Sequence, residues 1–521
     1  MESLEINERG YFWWSDQSIP EGAFAPPGGT YGLLTIGAKG RITLDLDGLL
    51  SAERFPGFDR EKIVNRNISG ILKRDNRRIL LCNLNFNGGD FKTAGLSNEG
   101  FTAEFCLVGY DELSNLKEIK SFHHLGMDLS GFDEWISPGS IEVRRSKRST
   151  TITHKSKKNL HFKLRDGFIE FQFRILGPGF SGSHRKEAKL REIIMVNYRL
   201  KFNSLKMAVD EYLKLEDLFI ILTDCEGRLS WPTIHLNKES TGIKLYFRRW
   251  EREPKDVRFS HCWLRFPQIA KNFELLLDTW RDKREKLGPG IYMYLGLRRG
   301  LTLYSENSFA NMIWGLEALH RTSIITHNNE NLKKKIARIL EQISREKDKA
   351  WLERILGFSG EPTLENRIID IFSTLPLPIQ KDRLQKFANT CAKYRNDLSH
   401  FGASRGEATY DEFILKLHDI SAALDILYHL KIIQEIGVSA ELISWIFSDG
   451  FQSFRIKDSL WRVGLIVEDP RDAINAAARK AQKQISAIST APQNVITNQP
   501  IRRAKKTRSR KKKDESSPPT S

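Results

Sequence analysis

The hydrophobic periodicity of this chain changes for good near Pro267, and a chain that does this has to build two kinds of layer. Before that point apolar residues recur mostly every second position, as a half-buried strand requires. Leu33-Leu34-Thr35-Ile36 runs into Gly37 to Gly40, after which Ile42, Leu44 and Leu46 alternate with polar partners, the pattern of two strands and a turn. Ile71-Leu72 and Arg78 to Cys82 flank Asp75-Asn76 as a second hairpin, and Phe101 to Val108, Phe168 to Phe173 and Ile243 to Phe247 add strands. Ile169, Phe171 and Phe173 share one face. One helix interrupts this region, from about Ser204 to Leu222, with Leu205, Val209, Tyr212 and Leu213 expected on its buried side.

Beyond Pro267 the spacing is helical. Phe273, Leu276, Leu277 and Trp280 form one stripe, broken at Gly288-Pro289-Gly290, where a domain boundary is expected. Phe309, Met312, Ile313, Leu316 and Leu319 mark a helix behind Ser305, and Leu332, Ile336, Ile339, Leu340 and Ile343 another. Pro362 is placed in a first helical turn ahead of Leu364, Ile368 and Phe372, and Pro376 and Pro378 then interrupt. A helix with Leu384, Phe387, Ala388, Cys391 and Leu398 inward ends near Gly402. Thr409 and Glu412 form a capping box for a long helix through Leu427, which Gly437 closes. The expected class is α+β, a β-rich N-terminal domain followed by an all-α helical bundle. Its divisions are 1–287, 288–448, an extension 449–475, and a basic disordered tail 476–521.

The net charge of +17 is concentrated rather than spread. Residues 502–513 and residues 144–165 each hold nine Lys or Arg and no acid; taking these eighteen from the 82 basic residues leaves 64 against 65 acidic. Short runs of this kind attract polyanions by neutralising phosphate, or serve only as solvated surface. The first run is expected on an exposed hairpin or long loop, with Arg144, Arg145, Lys147, Arg148, Lys155, Lys157 and Lys158 as candidate RNA contacts. No apolar run approaches a membrane span, and the polar start Met1-Glu2-Ser3 is unlike a signal peptide. Five scattered cysteines suit a reducing cytoplasm.

One pair of residues carries chemistry. Arg395-Asn396-Asp397-Leu398-Ser399-His400 holds the only Arg-x4-His in a chain with 12 histidines. Metal-free RNA cleavage by the neighbouring 2′-OH needs an acid, a base and positive charge at phosphorus. Histidine titrates near neutrality, and arginine matches phosphate oxygens with paired donors. The spacing alone is near chance, but Arg395 falls inside the apolar stripe between Cys391 and Leu398, where a cation needs a partner or a task. On an ideal helix Arg395 and His400 lie about 140° apart, so they converge only if the helix end loosens, the arginine wraps round, or two chains build the site. The structural alternative is an Arg395 paired to an acidic neighbouring helix, with His400 as a C-terminal cap.

The helical region resembles the HEPN superfamily, whose motif is Arg-x4–6-His with a polar residue, often Asn, after the Arg. Phe309 to Arg321 looks like the leading helix of the ApeA-like branch, and Gly10-Tyr11-Phe12-Trp13-Trp14 with Gly28 to Gly48 looks like the ApeA N-terminal domain. The resemblance implies a metal-independent endoribonuclease of bacterial abortive infection. It would be a homodimer, take cellular RNA such as tRNA, answer a phage-encoded trigger, and need no cofactor. It implies that Arg395 stabilises phosphate charge, His400 acts as acid or base, and Asn396 orients the site. Glu317 and Asp397 are supporting candidates, with an i,i+4 pair to Arg321 as the alternative for Glu317. The rival reading is a non-catalytic nucleic-acid-binding or scaffold protein that uses the helices for dimerisation.

Other constellations are weaker. Cys225, His235, His261 and Cys262 are the nearest approach to a zinc set, but no Cys-x2-Cys pair exists, so no metal is expected. No Gly-Lys-Ser/Thr follows the glycines at 28–40, which read as turns, and Trp13-Trp14 reads as core.

Overall fold

The computed structural model describes residues 4–50, 66–90, 92, 95–110, 122–129, 131–136, 139–181, 187–236, 241–249, 257–299, 303–323, 330–356, 361–401 and 409–472. The expected tail therefore lies outside the described residues. Met1–Glu468 forms one compact unit.

The strands are β1 (Leu4–Trp14), β2 (Thr30–Gly37), β3 (Ile42–Leu46), β4 (Ile68–Leu72), β5 (Arg78–Asp90), β6 (Asn98–Gly109), β7 (His124–Asp128), β8 (Ile141–Arg145), β9 (Thr150–His154), β10 (Leu160–Leu164), β11 (Gly167–Ser181), β12 (Glu187–Arg199), β13 (Thr233–His235) and β14 (Ile243–Phe247). Twelve of them make one sheet in the order β10-β11-β12-β7-β13-β14-β6-β3-β2-β1-β4-β5, and β5 returns to β6, so six strands close into a barrel. Strand β6 permits both closure and extension. Its whole length pairs with β5 on one edge, while the other edge gives residues 99–103 to β3 and 105–108 to β14. Between the two stands Glu104, which accepts Asn83 Nδ2 (2.7 Å) from a residue at φ +55°, a conformation asparagine tolerates better than most. Phe12, Leu34, Leu44, Ile68 and Phe101 are buried within this β-rich half.

The open arm ends at β10, whose free edge would invite another strand. Two carboxylates of the helix Phe273–Arg298 cover it instead: Lys163 N donates to Glu274 Oε1 (3.2 Å) and Arg165 N to Asp278 Oδ2 (3.1 Å). Strands β8 and β9 form a separate two-stranded ribbon.

The longer helices are α1 (Leu205–Thr223), α2 (Phe273–Arg298), α3 (Ser305–Ser323), α4 (Glu330–Glu341), α5 (Glu346–Leu356), α6 (Leu364–Phe372), α7 (Lys381–Phe401), α8 (Tyr410–Glu435), α9 (Ala440–Ser448) and α10 (Ser453–Arg462). The Ser204 side chain caps α1 by accepting from Met207 N (3.2 Å). The one-sided stripe expected here describes only the first turns. From Lys214 to Thr223 every residue is buried, because α1 lies between the sheet and the other helices. At Gly288 (φ +56°, ψ −140°) the chain kinks within α2 and continues helical to Arg298. Pro362 is not in a first turn. Thr363 caps α6 through Asn366 N (3.2 Å), so the proline precedes the cap and its carbonyl accepts Arg367 Nε (3.0 Å).

Charge joins the two halves. On α1, Glu211 pairs with Arg281 (2.9 Å), Asp217 with Arg284 (2.9 Å), and Glu216 with Arg299 (2.6 Å). The three arginines lie on α2 or one residue beyond it. Burial opposes ionisation of Glu216, but Arg299 and Arg249 overcome it and hold its carboxyl below the ordinary value.

Helices α2 and α3 meet where neither has a side chain. A Cβ added at Gly290 would come 2.6 Å from Gly315 O and 3.0 Å from Tyr428 Oη. Gly290→Ala should therefore cost about 1–3 kcal/mol by overpacking. In urea unfolding this would lower the midpoint at unchanged slope; an unchanged midpoint would show that the crossing has room.

Candidate active site

Helix α7 positions the arginine–histidine motif. It packs on α6 and α3 with Leu384, Phe387, Ala388 and Cys391 buried, so the expected stripe is the one that faces the bundle. The helix continues unbroken through His400 to Phe401. Backbone positions 395 and 400 therefore keep the splay of about 140° around the helix axis that ideal geometry dictates. For His400 the structure describes the backbone position alone.

Arg395 is half-buried on that stripe, between fully buried Cys391 and half-buried Leu398. Its Nη1 donates to the exposed Asn396 Oδ1 (3.3 Å), and its buried Nε has no hydrogen-bond partner among the described residues. No carboxylate among the described residues pairs with it, so the acidic neighbour of the structural alternative is not found. Asp397 is turned inward and only 6% exposed, with Oδ2 unpartnered among the described residues. The Tyr394 hydroxyl is raised in pKa, first by burial and then by Asp397. Tyr394 itself stacks on Phe413 of α8 (5.1 Å between rings), which ties the motif to the next helix.

The other sequence candidates are scattered. Glu317 is half-buried on α3, while Arg321 one turn on donates to Glu361 Oε2 (3.3 Å). Of the basic set, Arg144 and Arg145 end β8, Lys147 and Arg148 form the ribbon's tip, and Lys155, Lys157 and Lys158 follow β9. Apart from half-buried Ile141 and His154, residues 141–155 are exposed, and Val143 and Ile152 pair across the ribbon at 53% and 46% exposure. Arg144 and Lys155 share Glu142 (3.4 and 3.3 Å), and Lys157 Nζ lies 5.9 Å over the Phe173 ring. The zinc-like set divides: His235 stacks on His124 (4.2 Å), while Cys225 Sγ donates to Thr223 O (3.4 Å) and Cys262 Sγ to Arg258 O (3.5 Å). Among the described residues no group of three or more His, Cys, Asp or Glu could hold a metal ion. No helix among them is long and apolar enough to cross a membrane.

Comparison with known families supplies the remaining constraint. Residues 8–280, more than half the chain, match the ApeA N-terminal domain 1, and residues 310–442 match the Apea-like HEPN domain. The chain belongs to the ApeA-like HEPN family. No curated protein and no solved structure matches it. The HEPN match contains α7 and the whole motif, and membership supports an HEPN-type nuclease in general terms.

Behind the HEPN helices lies a buried cluster that sequence reading missed. Asp224, the left-handed cap of α1 (φ +56°), pairs with Arg298 of α2 (2.9 Å) and Arg455 of α10 (2.8 Å). Arg298 also pairs with Asp425 of α8 (2.7 Å) and donates to Tyr294 Oη (2.9 Å). Tyr294 Oη hydrogen-bonds His429 Nδ1, and the His429 ring packs on Trp263 (4.4 Å). Two contributors lie more than 200 residues apart, Asp224 and Arg455, so no local pattern announces the cluster; its only trace is a set of charged residues on apolar faces. Buried His320 of α3 also hydrogen-bonds the exposed Asp370 of α6 (3.1 Å).

Burial lowers the pKa of His429 from 6.5 to about 3, against the pull of Asp224. It is therefore neutral in the folded protein at every pH above that value. Below about pH 6.5 the unfolded chain binds a proton here that the folded chain refuses. Stability is thus complete above pH 6.5 and falls by about 1.4 kcal/mol per pH unit as the pH drops toward 3. His429→Asn should remove that slope between pH 6 and 4, read from urea unfolding at each pH; an unchanged slope would mean that His429 protonates in place.

Proposed function

We propose that this chain is a metal-independent endoribonuclease acting as an abortive-infection effector in anti-phage defence. Arg395 is the observation that carries the reading: a cation within an apolar stripe, beside Asn396, unpaired with any carboxylate among the described residues. It lies five residues before His400 on a helix of the HEPN match.

In the proposed reaction the 2′-oxygen of RNA loses its proton to a base and attacks the adjacent phosphorus. The bond from phosphorus to the 5′-oxygen breaks, and that oxygen takes a proton from an acid. The products are a 2′,3′-cyclic phosphate and a 5′-hydroxyl. His400 serves as acid or base, Arg395 neutralises the charge that gathers on the phosphoryl oxygens, and Asn396 orients the arginine it contacts. The unbroken helix separates positions 395 and 400 by about 140°, which favours a site completed by a second copy in a homodimer. Cellular RNA, with tRNA as one candidate, is the substrate, and a phage-encoded trigger acting through the β-rich half is the switch. The exposed basic ribbon supports a second reading, a nucleic-acid-binding protein without catalysis.

Purified protein incubated with total RNA and tRNA in EDTA, with and without phage lysate, should release cyclic-phosphate ends. Arg395→Ala and His400→Ala should each lower cleavage by about 10²–10⁴-fold. RNA left equally intact by wild type and both variants would favour the non-catalytic reading. Replacing Arg144, Arg145, Lys147 and Arg148 together with Ala should weaken RNA binding and flatten its dependence on salt by up to about four phosphate contacts. An unchanged salt slope would remove the ribbon from the RNA path.

A further inference from the structure

Strands β8 and β9 pair with each other and with no strand of the main sheet. Their foot is fixed: Ser140 N and Oγ both donate to Glu192 Oε2 on β12 (2.7 Å each), and Lys155 N donates to Ser140 O (3.3 Å). Their tip is closed: Ser146 N donates to Ser149 O (2.8 Å), and the two serine hydroxyls hydrogen-bond each other (2.7 Å). Between foot and tip, residues 142–153 are exposed.

The two faces of this ribbon differ. The register sets Ile141 opposite His154, Val143 opposite Ile152 and Arg145 opposite Thr150, so these six side chains share one face. That face has no carboxylate, and it shows to water two apolar side chains, Val143 at 53% and Ile152 at 46% exposure. The other face holds Glu142, which Arg144 and Lys155 neutralise (3.4 and 3.3 Å). Arg145, Lys147 and Arg148 have no carboxylate partner among the described residues. The outer half of the ribbon is thus a cation cluster around an apolar pair.

We infer that this ribbon is an arm that lies in the major groove of duplex DNA. Charge fixes the ligand as a polyanion, since the run 144–165 holds nine Lys or Arg and no acid. Shape then chooses among polyanions. Five antiparallel residues extend about 17 Å. A B-form major groove is about 12 Å wide and about 8.5 Å deep, so it admits a two-stranded ribbon to its floor. The major groove of A-form RNA is too narrow for side chains to read. Single-stranded RNA is held by aromatic rings on which bases stack, and no Phe, Tyr or Trp stands between Ile141 and Lys155. The floor of the DNA groove also carries the thymine methyl, which uracil lacks and which contacts aliphatic side chains. Val143 and Ile152 supply those contacts. Arg145 on the same face fits guanine O6 and N7, and Lys147 and Arg148 at the tip meet phosphates. The inference stands apart from RNA cleavage, because the duplex is bound and not cut.

The test measures affinity of the full-length protein for four probes at one salt concentration. They are an A·T-rich DNA duplex, the same duplex with deoxyuridine for thymidine, the matching 2′-O-methyl RNA duplex, which no 2′-oxygen can cut, and phosphatidylglycerol vesicles. The DNA duplex should bind at least about tenfold tighter than the RNA duplex. Deoxyuridine should weaken binding about fourfold for each methyl that the ribbon covers. The basic run 502–513 attracts polyanions alike, so the ratio between the two DNA duplexes is free of it. Val143→Ser with Ile152→Ser should erase the deoxyuridine effect and leave the salt dependence unchanged. Both residues are exposed, so the urea midpoint should hold, and the wild-type comparison decides even if it moves. The inference is overturned if the RNA duplex binds as tightly as the DNA, if deoxyuridine changes nothing, or if the vesicles and not DNA take the protein. Cleavage of unmodified RNA is scored separately, and its absence leaves these ratios as they are.

Discussion

Paired charge between α1 and α2 is the constraint on which the rest of this structure rests. An α-helix buried all round would ordinarily be apolar, yet α1 carries Glu211, Lys214, Glu216 and Asp217 into the interior. Each carboxylate has an arginine waiting for it on α2 or just past its end. Such pairs add little net stability over an apolar seam, because both ions give up water. Losing one partner, however, leaves a buried charge at a cost of about 3–5 kcal/mol. The seam therefore acts mainly on register: a shift of α2 along α1 by one turn would orphan several charges at once.

The same seam continues into the HEPN helices. Asp224 ends α1 and collects arginines from α2 and α10, while Arg298 reaches on to Asp425 of α8. Helix α8 also carries Phe413, against which Tyr394 of the motif helix stacks. The end of α1 and the motif helix are thus both tied to α8, at Asp425 and at Phe413. The β-rich half and the motif helix share one hydrophobic core, and the charge network reaches the HEPN helices at Asp425 and Arg455.

Much of this was legible in the residues. The alternation at Ile42, Leu44 and Leu46 reappears as β3, the Asp75-Asn76 turn joins β4 to β5, and Thr409 caps α8 through Glu412 N (3.3 Å). The stripe of α7, with Arg395 inside it, was readable because helical spacing is local. Errors arose where distant chain intervenes. The outward face expected for α1 does not exist past its first turns, since sheet and helices enclose it. Pro362 yielded the cap to Thr363, whose hydroxyl can accept a backbone N–H where proline has nothing to offer.

The order of layers, the helix and strand periods, the two basic runs and the single Arg-x4-His are written in the residues alone. These depend on the chemistry of residues a few positions apart, which any stretch of chain carries with it. Folding in three dimensions sets that six strands close through β6, that Asp224 meets Arg455, and that Arg298 meets Asp425. Those contacts join residues far apart along the chain, and their partners are chosen by which surfaces the folded core brings into reach.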